Sequence, residues 1–285
     1  YADYHDLLAH PNLEAVVICT PTNSHCEIAV TAAKAGKQLF CEKPPALNLR
    51  EIDGMIAAAE KAGVLLHVGF MRRFDDAYIE AKRQIEDGVI GTPVTIRSVG
   101  RDPSRPGLKF SNPLESGGLI LEMAIHDFDI IHWLMADDVE RIYCETAALV
   151  HPELAKAGDA DTALMTLRFA RGGLGSVEVS RTAVYGYDIS CDIVGSKGTL
   201  HVGYLRQTAV TVMTVAGVTH DVVPHFPERF GTAYDRQIEA FIDCAREGKP
   251  APITTADARA ALQIGLAAIR SRREGRPITV REVQA

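Results

Sequence analysis

The chain has 285 residues, 47% of them hydrophobic and 24% charged, an ordinary balance for a globular protein with apolar material for a real core. A surplus of 37 Asp and Glu over 30 Lys and Arg gives a net charge of −7, which argues against a general binder of nucleic-acid backbones. No apolar run approaches the roughly 18 residues of a membrane span, so a membrane is not an expected partner.

The six cysteines, at 19, 26, 41, 144, 191 and 244, show neither CxxC pairing nor metal-finger spacing. Several sit in apolar segments, where cysteine behaves as a small hydrophobe, and a reduced, cytoplasmic compartment is expected. No signal peptide is visible. The chain begins at Tyr1 and runs straight into Tyr4-His5-Asp6-Leu7-Leu8, which reads as a helix already under way. The expectation is a preceding segment of about 60 residues, the usual size of two βα units.

Residues 14–20 form a continuous apolar run, the pattern of a strand buried on both faces of a parallel sheet. A helix over 23–36 closes on Gly36, and a second strand over 38–41 closes on Glu42-Lys43-Pro44-Pro45. Asn48 with Glu51 resembles a capping box opening a helix that ends at Gly63, and 64–69 is a third strand. Strand, helix, strand, helix, strand is half of a doubly wound α/β domain.

The rhythm then changes. A helix over 75–87 leads to a strand over 93–99, a Pro- and Gly-rich loop, and a helix over 118–135. Strands follow over 142–150, 161–169, 175–183, 187–194, 199–202 and 208–215, several joined by short turns, which implies an antiparallel sheet. Helices over 232–247 and 256–273 and a short strand near 277–281 close the chain; the basic run Arg270-Ser271-Arg272-Arg273 suits the solvated C-terminal end of a helix. The expected fold class is α/β. A Rossmann-type parallel sheet lacking its N-terminal part (1–72) precedes an α+β domain with a large open antiparallel sheet (73–285). The C-terminal helices are free to pack back on the first domain.

Glu42-Lys43-Pro44 lies at the C-terminal end of a parallel strand, where open α/β sheets place their ligands. A lysine there can stabilise developing alkoxide charge, although the same triplet would also serve as a solvent-exposed turn. On a continuous helix over 118–135, Ala124, Ile125, Phe128, Ile131 and Met135 form an apolar stripe, while Glu122, His126, Asp129 and Trp133 share its flank. A carboxylate on either side of His126 would fix its tautomer and favour its protonated form; routine surface pairs would give the same pattern. His132 falls on the apolar stripe and reads as a core histidine. Thr20-Pro21-Thr22-Asn23-Ser24-His25 opens a helix and suits either a polar ligand or an N-cap. His25-Cys26 lacks further ligands at metal spacing, and no metal is expected. GxSxG, P-loop and HExxH motifs are absent.

Taken together, Thr20-Pro21…His25, Glu42-Lys43-Pro44, Gly69-Phe70-Met71-Arg72-Arg73-Phe74 and Gly117-Gly118…Ile125-His126-Asp127-Phe128-Asp129 resemble the glucose–fructose oxidoreductase/inositol dehydrogenase (Gfo/Idh/MocA) family. Tyr185-Gly186-Tyr187-Asp188-Ile189, Val194-Gly195-Ser196-Lys197-Gly198-Thr199 and Ala233-Tyr234-Asp235 look like its inositol 2-dehydrogenase branch. The likeness spans essentially the whole chain. It implies NAD or NADP as cofactor, a polyol or sugar substrate, and a homo-oligomer, dimer or tetramer, packed through the open sheet.

The resemblance also implies roles. Lys43 and His126 would act at the substrate carbinol, with Glu122 beside them. Thr20, Pro21, Asn23, His25, Glu42 and Arg72 would join Lys43 around the cofactor, and the Lys43–Pro44 bond would be cis. Asp102, before Pro103, together with Tyr185 and Tyr234, would contact substrate. Two departures stand out. Glu122 replaces the family's usual aspartate and lengthens its reach by about 1.5 Å. The GxGxxG loop that would cradle a pyrophosphate is not in the sequence, so the selector between NAD and NADP cannot be read. The expected activity is oxidation of a secondary hydroxyl of inositol or a related polyol. A non-catalytic sugar and nucleotide sensor, and a cofactor-recycling hydrolase or dehydratase, are the rival readings on the same scaffold.

Overall fold

A computed structural model describes residues 1–107 and 112–285; part of the expected Pro- and Gly-rich loop, 108–111, lies outside the described residues. The chain enters through α1 (Tyr4–Leu8) and then alternates β1 (Ala15–Ile18), α2 (His25–Lys34), β2 (Gln38–Glu42), α3 (Leu49–Ala62) and β3 (Leu66–Gly69). All three strands are parallel, in the order β1-β2-β3. Central β2 is sealed, with Leu39, Phe40 and Cys41 fully buried. Among the described residues β1 pairs with β2, and Val17 on it is 52% exposed where the run 14–20 was expected to be buried on both faces. At the start of α3 the Asn48 side chain accepts from the Glu51 amide at 3.0 Å. The Glu51 carboxylate reaches the Leu47 amide rather than that of Asn48, so the expected box is a cap without its reciprocal half.

A single turn after β3, Met71–Phe74, carries two adjacent arginines, both buried. Arg72 Nη1 donates to Asp127 at 2.8 Å, and the Ser98 hydroxyl donates to the same carboxylate oxygen at 2.6 Å. Arg73 grips both oxygens of Asp129, at 2.9 and 2.6 Å, and reaches Asp257 at 3.3 Å. Burial alone would make Arg72 easier to deprotonate, but the Asp127 carboxylate outweighs it and keeps the guanidinium charged.

Those carboxylates belong to the second, larger unit of the chain. It comprises α4 (Asp76–Glu86), β4 (Pro93–Arg101), α5 (Pro113–Ser116), α6 (Gly118–Glu122), α7 (Ile125–Met135), β5 (Val139–Ala147), α8 (Pro152–Lys156), β6 (Thr162–Phe169) and β7 (Leu174–Ser180). Then come β8 (Asp188–Gly195), β9 (Thr199–Gly203), β10 (Thr211–Thr214), β11 (Gly217–His220), α9 (Phe226–Glu247), α10 (Thr255–Glu274) and β12 (Ile278–Thr279). Seven strands form one sheet in the order β12-β5-β6-β7-β4-β8-β9. Its pairs are antiparallel apart from β4–β7, because β4 is inserted between two strands that come later in the chain. The sheet is therefore mixed rather than wholly antiparallel. The strand expected over 208–215 pairs instead with β11 in a separate hairpin, and α9 begins at Phe226 rather than near 232.

One face of the large sheet packs against α7 and α10, burying alternate residues such as Ile142, Met165, Val177 and Cys191. α10 also contacts α3 and β3. The helix expected over 118–135 is broken: α6 ends at Glu122, and α7 starts at Ile125. The Glu122 carbonyl turns to the Lys43 ammonium at 2.7 Å instead of to the next helical turn. His132 is not a core residue; it is partly exposed and pairs with Asp138 at 3.1 Å.

Arg72 has its carboxylate contact in Asp127, and removing one member of a buried pair leaves an uncompensated charge. Asp127→Ala should lower the unfolding free energy by about 3–5 kcal/mol in urea titrations, whereas a loss under about 1 kcal/mol would show that the pair does not hold the two units together.

Candidate active site

The C-terminal ends of β1 and β2 open onto a cleft of about 440 Å³, lined by Cys19, Thr20, Pro21, Thr22, Glu42, Lys43, Pro44, Gly107, Glu115 and Ser116. This is the edge at which parallel sheets receive ligands. The Lys43–Pro44 bond is cis, as the resemblance implied. The Glu42 carboxylate folds back to accept from the Lys43 amide at 3.1 Å, and burial pushes its pKa up against the pull of Lys43.

Lys43 donates from Nζ to the Glu122 carbonyl at 2.7 Å and to Glu122 Oε1 at 3.0 Å. Glu122 Oε2 accepts from Arg181 at 3.2 Å. Burial raises the Glu122 pKa, but Lys43 and Arg181 together outweigh it and leave the group below its ordinary value, an ionised carboxylate.

His126 is only 6% exposed; its ring stands edge-on to Phe70, and Nδ1 has no partner. Burial first, then the charges of Lys43 and Arg72, hold it well below the usual histidine range. The break between α6 and α7 explains why the sequence reading of this residue fails. Glu122 is drawn to Lys43 and Asp129 to Arg73, so neither carboxylate serves His126, which is neutral rather than favoured as a cation. A neutral imidazole has the free lone pair that a proton acceptor requires.

Asp102 follows β4 on the same face as Ser98 and Gly100, the face that meets Asp127. Burial, and secondarily the charge of Glu122, push its carboxyl up to about 6. Tyr234, from α9, feels the charges of Glu42, Glu122 and Asp102, and burial raises its hydroxyl's pKa. Lys43, Glu42, Glu122, His126, Asp102 and Tyr234 are thus brought together, with Thr20 and Pro21 on the cleft wall.

Four expected site residues lie elsewhere. His25 is buried, with its ring bridging the Pro44 carbonyl at 2.9 Å and the Thr20 carbonyl at 2.8 Å; it ties the two cleft-lining turns together. Asn23 is exposed and not among the lining residues. Arg72 is buried, with its guanidinium donating to Asp127. Tyr185 is 45% exposed and bonds Asp188 at 2.8 Å and Arg101 at 3.1 Å. Arg101 and Asp102 alternate across the strand, which puts Tyr185 on the opposite side of the sheet from the cleft. Sequence reasoning missed Arg181 and Asp159, whose positions after and before strands carried no spacing signal. Among the described residues no cluster of three or more His, Cys, Asp or Glu could hold a metal.

A parallel-sheet unit opening onto an ammonium, a carboxylate and a neutral imidazole has the makings of a nicotinamide-dependent dehydrogenase acting on CH–OH groups. Residues 1–70 match the oxidoreductase family's NAD-binding Rossmann fold, and 82–280 match its C-terminal alpha/beta domain. The chain belongs to the Gfo/Idh/MocA oxidoreductase family. It is 40% identical over 284 residues to a myo-inositol 2-dehydrogenase of Thermotoga maritima, covering 99% of this chain and 84% of the relative. It is 38% identical to a scyllo-inositol 2-dehydrogenase (NAD(+)) of Bacillus subtilis, covering 97% and 80%. The crystal structure of scyllo-inositol dehydrogenase from Lactobacillus casei with NAD(H) and scyllo-inositol superposes with a TM-score of 0.92 at 30% identity, covering 98% and 84%.

The depressed His126 pKa has a sign. Below the unfolded value of 6.5 the unfolded chain binds a proton that the native state refuses, so this contribution to stability is present above about pH 6.5 and lost as the pH falls. His126→Gln should therefore flatten the acid side of the stability–pH curve, and ring ¹⁵N NMR should report a neutral His126 at neutral pH. A cationic ring at pH 7 would refute the assignment.

Proposed function

We propose that the protein oxidises a secondary hydroxyl of an inositol or closely related polyol, with NAD as the acceptor. The observation that carries this reading is the Lys43 ammonium, held by Glu122 through two hydrogen bonds, with the neutral, buried His126 near enough to feel its charge. His126 takes the hydroxyl proton, the Lys43 ammonium stabilises the alkoxide, and ionised Glu122 keeps that ammonium aimed. Asp102 and Tyr234 hold neighbouring ring hydroxyls. The cleft's chemistry suits a nicotinamide riboside: Pro21, Pro44 and Cys19 give apolar wall, while Thr20, Thr22 and Glu42 offer hydroxyl and carboxylate partners. Bound there, the nicotinamide supplies the hydride acceptor.

The full-length protein, assayed with NAD and a panel of inositol isomers and aldoses, should form NADH with at least one cyclitol. His126→Ala and Lys43→Ala should each lower kcat by about 10²- to 10⁴-fold. Absence of NADH across the panel, or retained turnover in His126→Ala, would sink the reading.

The second part of the proposal concerns assembly and setting. The sheet face away from the helices carries Leu164, Leu174 and Val194 at 57%, 51% and 41% exposure, and a second copy of the chain covers it. All six cysteines are free, in keeping with a cytoplasmic enzyme. Light scattering should give a dimer or tetramer, and Leu164→Arg should shift it toward monomer. A monomeric wild type at micromolar concentration would rule out this interface.

A further inference from the structure

Arg181 is fully buried, one residue beyond the end of β7. Its Nη1 donates to Asp159 at 2.8 Å and its Nη2 to Glu122 at 3.2 Å. Asp159 is itself 3% exposed, and its other oxygen accepts from the Leu119 amide at 2.8 Å in the first turn of α6. Gly118 makes that approach possible: at φ +66°, a Cβ there would stand 2.7 Å from the same Asp159 oxygen. The result is a closed chain of alternating charge, Lys43, Glu122, Arg181, Asp159, that begins in the cleft and ends on the backbone of the helix that carries Glu122.

We propose that Arg181 is a positioning residue of the active site: its guanidinium, forked between Asp159 and Glu122, fixes the Glu122 carboxylate as the acceptor that aims the Lys43 ammonium. The proposal rests on the reading that Lys43 and His126 carry the reaction. Asp102 provides an internal comparison. It feels the charge of Glu122 and of the same two cations, but no side-chain hydrogen bond from either one is found on it, and burial first pushes its carboxyl up to about 6. Glu122, hydrogen-bonded by both cations, is pulled below its ordinary value although burial works the other way. Lys43 from the end of β2, Arg181 from beyond β7, Asp102 from beyond β4 and Tyr234 from α9 are the charged and titratable groups that face Glu122. Of these, Arg181 alone also ties Glu122 to the fold. A lysine could make one of its two bonds but lacks the planar fork that joins two carboxylates.

The test uses the full-length enzyme and reads charge and rate separately. Glutamate-selective ¹³C NMR, with Glu122→Gln to assign the signal, follows the Glu122 carboxyl through pH. In Arg181→Gln the titration should move upward. In Asp159→Asn, which keeps an oxygen for the Leu119 amide while freeing Arg181 for Glu122, it should move downward. This second variant decides the matter if Arg181→Gln does not fold. In steady-state assays Arg181→Gln should lower kcat about ten- to a hundredfold, the scale of a lost partner behind a ligating group, with KM for NAD unchanged and the acid limb of the pH–rate profile raised. Arg181→Lys should restore part of the rate. In a Glu122→Gln background the same Arg181→Gln change should cost less than about threefold, because the two act as one unit. Equal losses in both backgrounds, or an unmoved Glu122 titration in a folded variant, would overturn the proposal. If Lys43→Ala and His126→Ala kept turnover, the catalytic reading would fail on its own, and the NMR titration would still report on Arg181.

Discussion

Two neighbouring arginines set the frame on which the site is built. Arg72 and Arg73 leave β3 in one short turn and insert into the second unit of the molecule, where Asp127 and Asp129 on α7 receive them. Buried ion pairs of this kind add little net stability compared with apolar packing, but they tolerate very few geometries. Asp127 and Asp129 flank His126 by one and three residues, so fixing both carboxylates fixes the rotation of α7 about its axis. The imidazole is thereby directed to the mouth of a parallel sheet that belongs to a different part of the chain.

The same pairing has an electrostatic effect. Arg72 stays charged because Asp127 accompanies it, and its field reaches His126, which faces Lys43 as well. Burial and two cations therefore act in one direction on the imidazole. Only a few side chains away, two cations act on Glu122 through direct hydrogen bonds and keep it ionised. A neutral imidazole and a charged carboxylate thus stand close together at one pH, with the Asp102 carboxyl pushed up to about 6 between them. Opposite protonation of groups in one site is how a protein divides acid and base roles.

Much of this was legible in the sequence. The parallel strands announced themselves as short apolar runs between helices, and Lys43 at the end of one of them could be placed from that pattern. Residues fixed by local rules, such as Asn48 and Gly63 at the ends of α3, also came through. What could not be read was set by long-range contact. A continuous helical wheel put Glu122 and Asp129 beside His126, but Lys43, 79 residues away from Glu122, and Arg73, 56 from Asp129, claim those carboxylates. The direction Tyr185 takes could not be read, because the face a loop residue turns to depends on the register of β4 against β8. Nor could the burial of Arg72 against Asp127, because a sequence shows a charge and does not show its burial.

The break between Glu122 and Ile125 has a further consequence. Had the helix run through, a change in length or orientation at Glu122 would be transmitted along a rigid rod to His126. As it is, the carboxylate hangs from a short segment anchored by Asp159, and the imidazole hangs from another anchored by the paired arginines. Each has its own footing. Under the proposed mechanism, the carboxylate can then be lengthened or exchanged while the imidazole stays where it is, which would give the scaffold a way to drift among substrates without rebuilding its chemistry.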